Sequence, residues 1–127
     1  MAFVLSKAPR TVKEWPVMVP VSIDGGEVQI SKITVDMNIL FSEDFDARVA
    51  DAKAALAAAQ KAGTSLEVDR EVLKSIVTGW SGIVDEEGAD VPFSQDALAM
   101  LARNQNALSA IYDAYFDAVR GKAAAKN

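Results

Sequence analysis

Val17-Met18-Val19-Pro20-Val21-Ser22-Ile23-Asp24-Gly25-Gly26-Glu27-Val28-Gln29-Ile30-Ser31-Lys32-Ile33-Thr34-Val35-Asp36-Met37-Asn38-Ile39 is the stretch that decides the fold. Val17, Val19, Val21 and Ile23 alternate with Met18, Pro20 and Ser22, which places four branched apolar side chains on one face of a strand. Pro20 has no N–H to give to a ladder and marks an edge strand. Asp24-Gly25-Gly26 turns the chain, and a second β run follows from Glu27 to Asn38. It begins with Val28 and Ile30 on one parity and continues with Ile33, Val35, Met37 and Ile39 on the other. One extra residue moves every later side chain to the opposite face, so the switch predicts a bulge near Ser31-Lys32. Residues 11–41 are therefore β in character, and a lone hairpin is too weak to stand without helices or a second subunit packed on it.

From Ser42 onward the apolar period becomes helical. Ser42 is the expected N-cap of a first helix, Glu43, Asp44 and Asp46 favour its positive end, and Gly63 is the expected stop. Its predicted buried stripe is Phe41, Phe45, Val49, Ala52, Leu56 and Ala59. A second helix is expected from Leu66 to Thr78, with Val72, Leu73, Ile76 and Val77 on one side, ending at Gly79. Ser94 caps a third helix containing Leu98 and Leu101, and Arg103-Asn104-Gln105-Asn106 reads as a polar break. In the fourth helix Leu108, Ile111, Tyr112, Tyr115, Phe116 and Val119 keep helical spacing up to Gly121. The expected fold is α+β: an N-terminal β-hairpin or small antiparallel sheet followed by about four α-helices. Residues 1–121 form a single domain in this reading, and 122–127 a flexible C-terminal tail.

A chain of 127 residues fits one modest core. Its 13 Lys and Arg against 18 Asp and Glu give a net charge of -5, which disfavours nucleic acid and anionic membranes as partners. There is no His and no Cys, so the usual neutral-pH proton shuttle, thiol nucleophile and zinc ligands are missing and no disulfide framework exists. A non-enzyme without cofactor is the expectation. Met1 to Arg10 carries its basic residues after the short run Phe3-Val4-Leu5, the reverse of a signal peptide, and no segment reaches the length of a membrane span.

The acidic turn Trp80-Ser81-Gly82-Ile83-Val84-Asp85-Glu86-Glu87-Gly88-Ala89-Asp90-Val91-Pro92-Phe93-Ser94 lies between two aromatic anchors. Its carboxylates must stay hydrated while Trp80 and Phe93 bury, so the loop is expected at the surface with both ends pinned. Calcium ligation fails on spacing: counted from Asp85, the fourth position is Gly88, the fifth is Ala89 and the twelfth is Asp96, which is not an EF-hand. Glu86 and Glu87 on a solvated turn have no reason to act as an acid–base pair. Tyr112, Tyr115 and Phe116 are read first as core and second as a partner-binding stripe. Trp80, Ile83, Phe93, Tyr112, Tyr115 and Phe116 are the candidate partner-binding residues, with no catalytic or metal site assigned.

The opening Met1-Ala2-Phe3-Val4-Leu5-Ser6-Lys7-Ala8-Pro9, the β segment ending in Ile39-Leu40-Phe41, Trp80 with Gly82-Ile83-Val84-Asp85-Glu86-Glu87-Gly88, Val91-Pro92-Phe93-Ser94, and Ile111-Tyr112-Asp113-Ala114-Tyr115 together resemble a known family. It is that of the tail assembly chaperones of long-tailed bacteriophages and prophages, made upstream of the tape-measure protein. The alanine-rich stretch Ala54 to Ala62 is generic and adds nothing to the likeness. The resemblance implies a protein of the host cytoplasm that keeps the tape-measure protein soluble while tail-tube subunits polymerise, and that is absent from the mature virion. The competing implication is a minor tail or tail-completion protein retained in the particle. A homo-oligomer is expected, through the hairpin edge or exposed apolar helix faces. The resemblance also implies a frameshifted extension that recruits tail-tube protein. Lys126-Asn127 can be encoded as AAA-AAC, which would supply slippery codons, and residues 121–127 would then be a linker.

Overall fold

A computed structural model describes residues 1–61 and 63–125. Strands β1 (Arg10–Ser22) and β2 (Val28–Ile39) form the hairpin, joined by a 3₁₀ turn at Asp24–Gly26. Helices α1 (Ser42–Ala58) and α2 (Ser65–Ile76) follow, then a third strand β3 (Val77–Ser81), then α3 (Gln95–Leu101) and α4 (Gln105–Val119). The fold is α+β, with an antiparallel sheet in the order β1-β2-β3. Strand β1 is an edge, as Pro20 requires. On its side Asn106 of α4 donates its side-chain amide to the Pro20 carbonyl at 2.8 Å.

The inner face of the sheet carries Val17, Val19, Ile33, Val35, Met37 and Ile39, all buried. Helix α4 packs against β1, and α2 packs against β2 and β3. Helix α1 lies outside this layer, against α2. Its position explains its sparse burial: Ala52 and Leu56 are buried, Phe45 and Val49 partly so, while Phe41 and Ala59 of the expected stripe are exposed. The two outer members of the α4 stripe also face water, Phe116 at 36% and Val119 at 43% exposure. Small residues replace them against the core, where Ala107, Ala114 and Ala118 let the helix approach the sheet.

The bulge expected near Ser31-Lys32 is absent. Register runs unbroken from Trp15↔Val35 to Ser22↔Val28. Val28 and Ile30 simply point to the other face, 58% and 44% exposed, at the end of the hairpin. The pattern changed because the apolar residues change face, with no residue inserted. Irregularity occurs instead around Asp36, between Val12 and Trp15 in β1 and between Asp36 and Met37 against β3. Glu14 has φ 52° there, and its N–H donates to the Asp36 carboxylate at 2.9 Å. On the other side Asp36 pairs with Gly79, where a Cβ would come within 2.7 Å of Asp36 Oδ2. Gly79 thus lets the Asp36 side chain lie close against the strand and sits inside β3, contrary to its expected role as a helix end.

Two other terminal assignments also change. Ser42 is the first residue of α1 and Phe41 its N-cap, without a side-chain cap bond. The helix stops before Gly63: Gln60 takes a left-handed φ of 56°, Gln60 N–H bonds Ala57 O and Lys61 N–H bonds Leu56 O. That is a Schellman closure with glutamine in the position usually held by glycine. Gly121 makes the same closure after α4, with Gly121 N–H to Ala118 O and Lys122 N–H to Asp117 O. Ser94 caps α3 as expected, its Oγ accepting from Ala97 N–H at 3.0 Å. Lys126 and Asn127, on which the extension reading rests, lie outside the described residues.

Candidate functional site

Trp80 is the penultimate residue of β3, opposite Val35. Its indole N–H donates to the Val91 carbonyl at 2.8 Å, and its ring meets Phe93 edge to face at 5.1 Å between centroids. The loop between them is a tight hairpin in which Val91 N–H bonds Ile83 O and Val84 bridges Asp90. Asp85 organises the tip: its carboxylate accepts Glu87 N–H at 2.9 Å and Ala89 N–H at 3.0 Å. This carboxylate is thereby occupied with its own backbone, whereas Glu86 and Glu87 stand at the exposed rim. Among the described residues no group of His, Cys, Asp and Glu is arranged to hold a metal ion.

The third helix runs alongside this hairpin. Together they enclose an open groove of about 540 Å³, floored by Trp80, Ile83 and Leu101, and edged by Met100 on one side and Glu86 and Glu87 on the other. Met100 is 66% exposed, unusual for a long apolar side chain beside other apolar ones. Thioether side chains adapt to varied partners, so this wall can remodel around an apolar insert. The arrangement is suited to binding: an apolar floor for one or two side chains, with negative charge at the mouth.

Tyr112, Tyr115 and Phe116 are placed differently. Tyr115 is 1% exposed, and its hydroxyl accepts from Leu40 N–H at 3.3 Å. Tyr112 donates to the Asp69 carbonyl at 2.6 Å. Burial first, then the nearby Asp69 charge and Tyr115, push the Tyr112 hydroxyl above its ordinary value of 10.0. Burial raises Tyr115 as well, partly countered by the Leu40 N–H, and burial raises Asp69. Phe45 joins this group, stacked on Tyr115 at 5.9 Å and edge-on to Phe116 at 6.0 Å, with the Arg120 guanidinium 5.7 Å from the Phe116 ring. A second groove, of about 780 Å³, opens over Phe45, Val49, Leu66 and Phe116, with Tyr112 at its base.

The candidate residues therefore divide into two groups. Trp80 and Ile83 share one groove, Phe93 supports Trp80 from beside it, and Tyr112 and Phe116 belong to the other groove while Tyr115 sits in the core. Sequence reasoning missed Met100 and Leu101. Ala97, Met100, Leu101 and Asn104 stand at i, i+3, i+4 and i+7 and all line the first groove, a legible stripe on a face other than that of buried Leu98. A family model described as phage tail assembly chaperone matches residues 1–127, the whole chain. No curated protein and no solved structure matches.

Proposed function

The chain belongs to the phage tail assembly chaperone family, and from that premise we propose that it binds the tape-measure protein and holds it soluble in the host cytoplasm during tail-tube polymerisation, leaving before the virion is complete. The observation that carries this reading is the groove of Trp80, Ile83, Met100 and Leu101, an uncovered apolar floor in a family whose members assist assembly. A long helical client presents apolar side chains at helical spacing, and a groove between a hairpin and a helix accepts such anchors one or two at a time. Several copies along one client would shield it, and the net charge of -5 per chain keeps the coated complex dispersed. No chemistry is required of any side chain. Among the described residues no helix is long and apolar enough to cross a membrane.

Co-expression with a tape-measure fragment tests the proposal. The wild-type chain keeps the fragment in the supernatant, and Met100→Asp loses that rescue while its melting temperature stays near wild type. A fragment that remains insoluble with the wild-type chain contradicts the reading. Mass spectrometry of purified particles tests departure: the chain is absent from them under this proposal and stoichiometric if it is a minor tail or tail-completion protein.

A further inference from the structure

The groove beside Trp80 is apolar on its floor and charged on one rim only. Of the described residues that line it, Asp85, Glu86 and Glu87 are acidic and none is basic, while the opposite wall, on α3, runs out to the neutral Asn104. The three carboxylates are not equivalent. Asp85 spends its own on the Glu87 and Ala89 N–H groups. Glu86 and Glu87 are exposed, and among the described residues neither enters an ion pair. Their backbone is nevertheless fixed: Gly88 N–H bonds Asp85 O at 3.0 Å, Asp85 N–H bonds Ala89 O at 2.9 Å, and Val91 N–H bonds Ile83 O at 2.9 Å. A loop already ordered adds little to the cost of binding, so the two free charges act from a set place beside the apolar floor. The wall they face, from Ala97 to Asn104, is about 10 Å long, roughly two turns of helix.

We propose that this rim selects client segments by charge: the groove takes a helix of about two turns whose apolar anchors are flanked by Lys or Arg, and refuses the same anchors flanked by Asp or Glu. The inference rests on the client reading above and says which stretches of a long helical client are held. The floor of Trp80, Ile83, Met100 and Leu101 is indifferent to what flanks an anchor, because burial of apolar surface has no sign. Glu86 and Glu87 supply the sign. A cation beside them adds a small attraction, and an anion there adds a repulsion. Each pair is weak, but attraction and rejection combine when one flank is exchanged for the other. Glu86 and Glu87 are thus specificity-determining residues, and Asp85 is a positioning residue that acts through the loop.

Fluorescence anisotropy of three labelled helical peptides on the full chain tests it. All three carry a pair of leucines one turn apart, and the flanking positions hold lysines in the first, glutamines in the second and glutamates in the third. At about 0.1 M salt the wild type binds the lysine peptide about tenfold tighter than the glutamate peptide, with the glutamine peptide between, and at about 1 M salt the spread shrinks to about twofold. Glu86→Lys with Glu87→Lys reverses the order. The chain, at -5 in the wild type, stays net negative after those two changes, so attraction to the molecule as a whole does not produce a reversal. Glu86→Gln with Glu87→Gln removes the preference and leaves the glutamine peptide bound as in the wild type. Met100→Asp weakens the glutamine peptide, which places anchors and rim in one groove. Equal binding of all three peptides by the wild type, or an order that survives the charge reversal, overturns the selectivity and leaves the client reading standing. A glutamine peptide that the wild type does not bind, or that Met100→Asp binds undiminished, overturns the selectivity together with the groove on which it rests.

Discussion

Two aromatic clusters in this molecule have similar composition and opposite fates. Tyr115 and Tyr112, on α4, turn inward, and each hydroxyl is bound to a backbone group, Leu40 N–H for one and the Asp69 carbonyl for the other. In the other cluster Trp80 also uses a backbone partner, its indole N–H donating to Val91 O with Phe93 packed edge-on against the ring, but the neighbours Ile83 and Met100 open onto solvent. What separates them is what lies behind the rings. Helix α4 is pressed on the sheet through alanines, so anything large on that face is enclosed. Beyond its pairing with β2, the Trp80 hairpin has the short α3 beside it, which covers one side and leaves a groove. Aromatic content alone does not mark a binding surface; the layer opposite decides.

Truncating an inward ring breaks the comparison most strongly. Tyr115→Ala removes a fully buried side chain and its bond to Leu40, and should cost about 3–5 kcal/mol in urea unfolding, while Met100→Asp stays within about 0.5 kcal/mol. Equal costs would mean that both clusters are core. Gly79→Ala links the two regions, because the new methyl group meets an Asp36 carboxylate held by Glu14 N–H in the same sheet that carries Trp80. A loss of about 1–3 kcal/mol is expected, and Asp36→Ala in the same background should recover part of it.

How much of this was legible follows from what each residue faces. The alternation Val17-Val19-Val21 gave the hairpin, and the spacing of Leu108, Ile111, Tyr112 and Tyr115 gave α4, because burial on one face leaves a period in the sequence. Strand β3 was hidden: Val77-Thr78-Gly79-Trp80-Ser81 is short, and Val77 continues the apolar stripe of α2 as easily as it begins a strand. The parity change at Ile30 to Ile33 misled because an exposed apolar pair looks like a shifted buried one. Gln60 as a helix stop leaves no compositional mark at all. Half of the groove was legible in Trp80 and Ile83. The other half was not: Met100 was not singled out, and Leu101 was read only as an apolar residue of the third helix beside Leu98.

Smaller effects sharpen the contrast. Tyr112→Phe should cost about 1 kcal/mol for the bond to Asp69 O. It should also flatten the alkaline limb. The Tyr112 hydroxyl is raised above its ordinary 10.0 on folding, so the stability it contributes is complete below about pH 10 and is lost as pH rises through the folded value. Wild type should therefore destabilise more steeply above pH 10 than Tyr112→Phe, in melts taken at successive pH values. Smallest is Gln60→Gly: relief of the left-handed strain, less the entropy of glycine, should stabilise by about 0.5 kcal/mol and leave the groove unaffected.

The central claim is that the outward cluster binds the client and the inward one only holds the fold. Titration of a soluble tape-measure segment into isotopically labelled chain, followed by amide shift perturbation, tests it most directly. The account predicts changes centred on Trp80, Ile83, Met100 and Leu101, lost in Met100→Asp. Perturbations confined to Phe45, Leu66 and Phe116, with the Trp80 hairpin silent, would contradict it.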